Sequence, residues 1–245
     1  MLVKQKVKYI QTLGQKKFRE QEGLFIAEGP KLVKELLEAD AASVREVYAV
    51  KDWMDDNQKL LNKTVAKEIT EIELEKISQL TTPNKVVAIV QQYETGETII
   101  AEDQITLALD NIQDPGNLGT IIRIADWFGI KQIVCSPDSA DRYNPKVVQS
   151  TMGSIARVKV YYTDLEEWLG LQKGVSIYAA SLYGEDVTTM KKIKEGIIIF
   201  GNESKGISGE IINLATTKIT ISKKGNAESL NAAVATGIIL SHIIT

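Results

Sequence analysis

Arg123 lies on a stretch, 115–128, whose two sides differ in character. Leu118, Ile121, Ile122, Ala125 and Phe128 recur at three- and four-residue steps, which predicts a helix resting this side on a sheet. Gly116, Gly119, Thr120, Arg123 and Trp127 run along the opposite side. A glycine inside a helix costs about 1 kcal/mol relative to alanine. Two of them below an arginine suggest a bared backbone that a ligand or a second helix approaches closely. The same pattern also suits an ordinary βα turn with an exposed arginine. A second candidate is Gly201-Asn202-Glu203-Ser204-Lys205-Gly206, directly after the apolar run 196–200. Such a turn lets a ligand reach backbone amides at a strand end. It matches neither G-x-G-x-x-G nor a Walker loop, so nicotinamide cofactors and nucleoside triphosphates are poorly supported. With one cysteine and one histidine in the chain, no metal site is expected.

The elements that must position these groups are set by the pattern around them. Apolar runs at 105–109 and 131–135 read as strands on either side of the arginine helix. Asp114 can cap that helix, and Pro115 suits its first turn, where a missing N–H does no harm. Strand, loop, helix and strand make one βαβ unit. Further strands are expected at 157–162, 175–180, 196–200 and 219–221, with helices from Pro145 to 153 and at 164–171. Residues 181–184 read as a loop. Loops at strand ends in a parallel α/β sheet are the usual place for a ligand. The last helix, 229–243, is apolar on nearly every side, which predicts burial all round, by the fold or by a partner subunit.

The first half reads as a separate small α/β domain. A short helix ends near Gly14, and a basic loop carries Lys16, Lys17 and Arg19. Strands are expected at 24–28, 44–50, 64–67 and 86–90, with helices at 31–39, 52–62 and 72–80. The polar run 93–98 reads as the linker, giving domains 1–94 and 95–245.

Composition bounds the rest. The chain has 245 residues, 44% of them hydrophobic and 25% charged, which is ordinary for a soluble globular protein. No apolar run comes after the basic start, so no secretory signal is expected, and the C-terminal apolar region is too short and broken to span a bilayer. The lone Cys135, in a predicted buried strand, fits a reducing cytoplasm. A net charge of −3 argues mildly against a generic nucleic-acid binder. Yet Lys4, Lys6, Lys8, Lys16, Lys17 and Arg19 precede the first acidic residue, a basic arm that could contact phosphates or simply be solvated.

Three stretches in order carry a resemblance. The first is Asn111-x-x-Asp114-Pro115-x-Asn117-x-Gly119-x-x-x-Arg123, the second runs from Gly201 to Ser208, and the third from Ile221 to Asn231. Together they resemble the motifs of the SpoU (TrmH-like) family of RNA ribose 2'-O-methyltransferases, within the SPOUT superfamily. The run from Leu13 to Leu37 also looks like the RNA substrate-binding domain, similar to a ribosomal-protein fold, that precedes the catalytic domain in many members. Phe25 and Glu28 within it are read as structural.

The resemblance implies a C-terminal parallel sheet with a deep trefoil knot, one of the exceptions to unthreaded chains. It implies S-adenosylmethionine as cofactor, held mostly by backbone at Gly201, Ile221 and Leu230, with Leu182 a further candidate. Ser222-Lys223 stands where relatives usually carry Pro-Met after Ile221. Arg123 is implied as the catalytic arginine that orients and stabilises the 2'-oxyanion, or accepts its proton despite a pKa of about 12 or more. Asn117, Glu203, Ser229 and Asn231 are implied as the other catalytic residues, with Glu203 orienting Arg123 or Asn117. Lys16, Lys17 and Arg19 are implied RNA contacts, and Gln149 stands where an arginine is common. The implied assembly is a cytoplasmic homodimer acting on ribosomal RNA, with transfer RNA as the other substrate class. The competing reading is a catalytically silent RNA-binding or ribosome-assembly protein that keeps the fold.

Overall fold

Ile10 and Leu13 are fully buried, so the basic N-terminal segment is a packed helical pair. The computed structural model describes residues 2–96 and 99–244. Helix α1 (Lys4–Thr12) is followed by α2 (Lys16–Glu22), where a loop was the expectation from sequence. The register of Lys16, Phe18 and Arg19 allows a short helix because Gly23, at φ +64°, closes it in the left-handed conformation. Then come β1 (Leu24–Glu28), α3 (Pro30–Asp40), β2 (Val44–Ala49), α4 (Lys51–Asp56), α5 (Gln58–Leu61), β3 (Val65–Glu68), α6 (Glu71–Ile77) and β4 (Val86–Gln91). The Thr70 hydroxyl and Glu73 carboxylate cap α6 reciprocally, a full capping box. The sheet order is β1-β4-β2-β3, with β4 antiparallel to both neighbours and β2 parallel to β3. Phe25 is fully buried, and the Glu28 carboxylate accepts from the Ser78 hydroxyl and, at 2.8 Å, from Gln79 N. Burial, ahead of those hydrogen bonds, holds that carboxyl above its ordinary range.

The expected linker, 93–98, ends in Glu97 and Thr98, which lie outside the described residues. Beyond it β5 (Ile105–Asp110), α7 (Pro115–Trp127) and β6 (Gln132–Cys135) form the βαβ unit. Leu118, Ile121, Ile122 and Ala125 are buried as the spacing predicts, each large side chain contributing about 1.5–3 kcal/mol.

The next segment changes allegiance. Chain order places residues 141–157 in the second domain, but packing places them in the first: the two compact units are Met1–Glu94 with Asp141–Arg157, and Thr95–Ala140 with Val158–Thr245. The reason is a set of side-chain anchors. Tyr143 stacks on Phe25 with ring centroids 4.8 Å apart, and its hydroxyl accepts from Tyr93 N at 2.7 Å. Helix α8 (Pro145–Thr151) sends Val148 into the core of the first unit, and Ile155 follows it there. Gly153, at φ +96°, comes so close to α3 that a Cβ would meet Glu35 Cβ at 2.6 Å. Arg19 donates to Leu13 O at 3.1 Å, Gly14 O at 2.7 Å and Asp141 Oδ2 at 2.6 Å, and is only 3% exposed.

The second unit continues with β7 (Lys159–Tyr162), α9 (Leu165–Gly170), β8 (Ile177–Asp186), β9 (Gly196–Gly201), α10 (Gly209–Ile212), β10 (Thr217–Thr220) and α11 (Ala232–Ile243). Its six strands are all parallel, in the order β10-β8-β9-β5-β6-β7. Central strands of such a sheet are covered on both faces, which explains the unbroken burial of β5 and the apolar run of β9. One expectation differs from the fold, and another is met only in part within a single chain. Residues 181–184 belong to a long β8, although 180–184 leave the ladder: Ala179 pairs with Lys218, and the next pair is Glu185 with Ile219. Helix α11 is buried only along Ala232, Ala233, Thr236, Ile239, Leu240 and Ile243, while Val234 is 50% exposed. Among the described residues no helix is long and apolar enough to cross a membrane, and no His, Cys, Asp and Glu cluster could hold a metal.

The Arg19–Asp141 pair generates a prediction. Removing one partner of a buried ion pair leaves the other uncompensated. Arg19→Met should therefore lower stability by about 3 kcal/mol, read from urea denaturation. An unchanged midpoint would show that the pair carries no net stability.

Candidate active site

The site grows from the carboxyl ends of β5 and β9, adjacent parallel strands whose last residues, Asp110 and Gly201, are register partners. After β5 the chain must turn sharply, and Asn111 does so at φ +59°, a left-handed conformation that asparagine tolerates better than most residues. Asn111 N donates to Ser136 Oγ at 2.8 Å, and its carbonyl accepts from Asn202 Nδ2 at 2.9 Å. Asp114 then caps α7, accepting from Asn117 N at 2.8 Å.

After β9 the chain folds back on itself. Asn202 and Gly206 exchange backbone hydrogen bonds of 3.0 and 2.9 Å, and Asn202 Oδ1 accepts from Ser204 N and Lys205 N. Ser208 N donates to Asp110 Oδ2 at 2.7 Å. A Cβ at Gly201 would collide with the backbone of Gly206 and Ile207. The glycine is thus required by this turn's own close approach, whatever a ligand demands.

The third stretch, from Ile221 to Asn231, lies outside helix and strand until Asn231 caps α11. Asn231 Oδ1 accepts from Ala233 N at 3.0 Å and Val234 N at 3.2 Å. Its amide nitrogen is therefore the free donor, and it reaches Asn117 Oδ1 at 2.8 Å. Asn117 must then turn its own nitrogen outward, and this donates to the Glu203 carboxylate. One hydrogen-bonded line, Asn231 to Asn117 to Glu203, joins the third, first and second motifs with a fixed donor direction.

The remaining expected residues are placed differently. Arg123 is exposed and has no hydrogen-bond or ion-pair partner among the described residues. Six residues separate it from Asn117, which on an α-helix means about 9 Å along the axis and about 240° around it. Glu203 therefore holds Asn117 and not Arg123. Ser229 is exposed in the irregular segment. Ile221 is half-buried just past β10, and Leu230 is exposed just before α11. Leu182 is 64% exposed on the part of β8 that leaves the ladder. Gly119 is buried, and α11 of the same chain packs on α7 at Ile124, which a Cβ at Gly237 would meet at 3.7 Å.

In the first unit, Lys16 and Lys17 are exposed, with Lys16 in a loose 3.7 Å pair with Glu20. Arg19, expected as an RNA contact, is not available for that role, because its guanidinium is buried on Asp141 and two carbonyls. Sequence reasoning also missed Asn202, the residue that closes the second turn and holds Asn111. Its signal was present, since an asparagine directly after a strand end and before Glu-Ser-Lys-Gly favours an Asx turn.

The arrangement also fits S-adenosylmethionine. Backbone groups of residues 222–230 make no hydrogen bond within the described residues, and Leu182 and Leu230 expose apolar surface that an adenine or a methionine chain could cover.

Known proteins resemble this chain along nearly its whole length. Residues 104–241 match the SpoU rRNA Methylase family, and residues 4–88 match the MRM3-like substrate binding domain. The chain is 31% identical over 242 residues to the 23S rRNA (guanosine(2553)-2'-O)-methyltransferase RlmP of Bacillus subtilis, covering 98% of this chain and 96% of that protein. Among solved structures, a Porphyromonas gingivalis protein assigned to the TrmH family of RNA methyltransferases superposes with a TM-score of 0.88 at 33% identity, covering 100% of this chain and 98% of that one. An AdoMet-bound rRNA methyltransferase from Sinorhizobium meliloti superposes with a TM-score of 0.86 at 31% identity, covering 99% and 95%. With its three motifs tied together at the ends of β5 and β9 and matched over their whole length, the chain belongs to the SpoU rRNA methylase family of S-adenosylmethionine-dependent RNA 2'-O-methyltransferases.

Proposed function

We propose that this enzyme methylates a ribose 2'-OH in ribosomal RNA, working as a homodimer in the cytoplasm. The observation that carries the site assignment is the Asn231–Asn117–Glu203 line, which gathers one residue from each motif while leaving Arg123 unpaired. The choice of ribosomal RNA is supported by the 23S rRNA activity named for the Bacillus relative and by the match of the first unit to a substrate-binding domain. The S-adenosylmethionine sulfonium supplies an already activated methyl group. The protein must hold the ribose in line and stabilise the oxygen as its proton leaves.

In this reading Gly201, Ile221, Leu230 and Leu182 hold the cofactor, largely through backbone. Glu203, through Asn117 and Asn231, fixes the mouth of the site, and Ser229 is free to meet the ribose. Arg123 stabilises the 2'-oxyanion. Its position on α7, turned about 240° from Asn117, argues that it serves the site of the partner subunit. Trp127, one turn further along α7, is 85% exposed, and Val234 on α11 is half exposed, which supports a second copy covering these helices. The knot implied by the family is supported by the path from β9 to β10, which passes beyond β8 to the sheet edge. Lys16 and Lys17 stand at the start of α2, where positive charge opposes the helix dipole, a cost that phosphate contacts would offset.

The direct test is methyl transfer from labelled S-adenosylmethionine to purified ribosomal and transfer RNA, with the product analysed for 2'-O-methylnucleoside. Methylation of transfer RNA alone would overturn the substrate assignment, and base methylation would overturn the chemistry. Arg123→Ala should cut turnover by at least about a hundredfold while leaving cofactor affinity near wild type, because it removes charge stabilisation at the reacting oxygen. Turnover close to wild type would take Arg123 out of the mechanism. Trp127→Asp should shift the sedimentation coefficient to that of a monomer and abolish activity; an active dimer would place the interface elsewhere. Replacing Lys16 and Lys17 by glutamine should weaken RNA binding and lower the salt slope by about 1 to 2, reflecting lost phosphate contacts. An unaltered slope would mean that both lysines are merely solvated.

A further inference from the structure

Strands β8 and β10 are in register at Tyr178 and Ala179, part company, and rejoin at Glu185 and Asp186. The intervening residues carry Leu182 and Tyr183 outward, the latter 82% exposed, and Gly184 permits this because a Cβ there would collide with the Lys218 carbonyl. Where the strands rejoin, Val187 N donates to Thr220 O at 3.0 Å. The Asp186 carboxylate sits at this junction. One oxygen accepts from Thr188 N at 2.8 Å and Thr188 Oγ1 at 2.7 Å, and the other accepts from the Ser222 hydroxyl.

That last bond matters because Ser222 opens an irregular stretch of chain. Residues 223–230 have neither helix nor strand to hold them, so the segment is fastened at one end by Ser222 and at the other by Asn231 on Asn117. The outward bend of β8 and the 221–231 segment are the two pieces assigned to the cofactor, and the Asp186–Ser222 bond ties them together. We infer that Asp186 and Ser222 are positioning residues for S-adenosylmethionine, holding the 221–231 segment against the bend of β8 in the shape that binds it.

This rests on the cofactor assignment above. The Ser222 hydrogen bond, then those from Thr188, with a lesser contribution from His242, hold the Asp186 carboxyl down to about 2, so it stays an ionised acceptor at neutral pH. Both side chains are at the surface, so the bond adds little to global stability. Its effect falls on binding, since a segment ordered beforehand loses less entropy when the cofactor arrives.

The test is calorimetric titration of the dimeric wild-type enzyme and of Ser222→Ala, Ser222→Thr and Asp186→Ala with S-adenosylmethionine, paired with steady-state kinetics. Ser222→Ala should raise Kd by about three- to tenfold, the range expected for losing one hydrogen bond to a charged group at the surface. The loss should appear in KM for the cofactor and not in kcat, and Ser222→Thr, which keeps the hydroxyl, should restore it. Adding Asp186→Ala to Ser222→Ala should cost less than the two single changes together, the mark of a direct coupling. Wild-type affinity in Ser222→Ala, or full additivity, would overturn this inference alone. A wild-type enzyme that methylates RNA but whose cofactor affinity is unmoved by Leu182→Pro and Leu230→Pro, which alter the backbone as well as the apolar surface, would overturn the cofactor assignment, and this inference with it.

Discussion

The side-chain amide of Asn117 has one donor side and one acceptor side, and the candidate active site is built on the fact that they cannot be exchanged. Asn231 uses its carbonyl oxygen to cap α11, so only its nitrogen is left to face Asn117. Asn117 must then offer nitrogen to Glu203. A single cap on the last helix thereby sets the direction of every bond along the line. The same line connects three segments separated by most of the second unit's length, so each motif depends on the others for its placement.

Around this line the glycines and strained residues are explained by backbone approach more than by cofactor. Gly201 is needed because Gly206 and Ile207 fold back over it, and Gly184 because Lys218 crosses behind it. Asn111 adopts its left-handed conformation to bring its carbonyl under Asn202. Glycine-rich turns at strand ends invite a ligand reading, and here the first reason for them is the fold. The irregular 222–230 segment is different in kind, because its backbone has no internal partner to explain it.

The first unit shows a similar economy of anchors. Arg19, Asp141, Tyr143 and Gly153 draw a segment from the middle of the chain onto the domain made by its beginning. That segment comes after β6 of the catalytic sheet, so the substrate-binding fold includes a piece of chain contiguous with the catalytic one. The arginine that looks like part of a basic arm is the central member of this clasp, because a guanidinium can satisfy two carbonyls and a carboxylate at once.

Much was legible in the sequence. Apolar runs located β1, β4, β5, β6 and β9, and Asp114-Pro115 located the start of α7, because these signals are local and their burial is all-round or strictly periodic. Three ordered motifs were sufficient to name the family and its cofactor. What lay beyond the sequence was every feature that depends on contact between distant segments. The exchange of residues 141–157, the burial of Arg19, the departure of β8 from its ladder and the single exposed side of α11 all depend on partners far along the chain. Periodicity records which side of an element is apolar; it does not record which neighbour covers that side. For the same reason the sequence could propose that Glu203 orients Arg123 or Asn117, and only the folded chain, with Arg123 turned away on the helix, assigns it to Asn117.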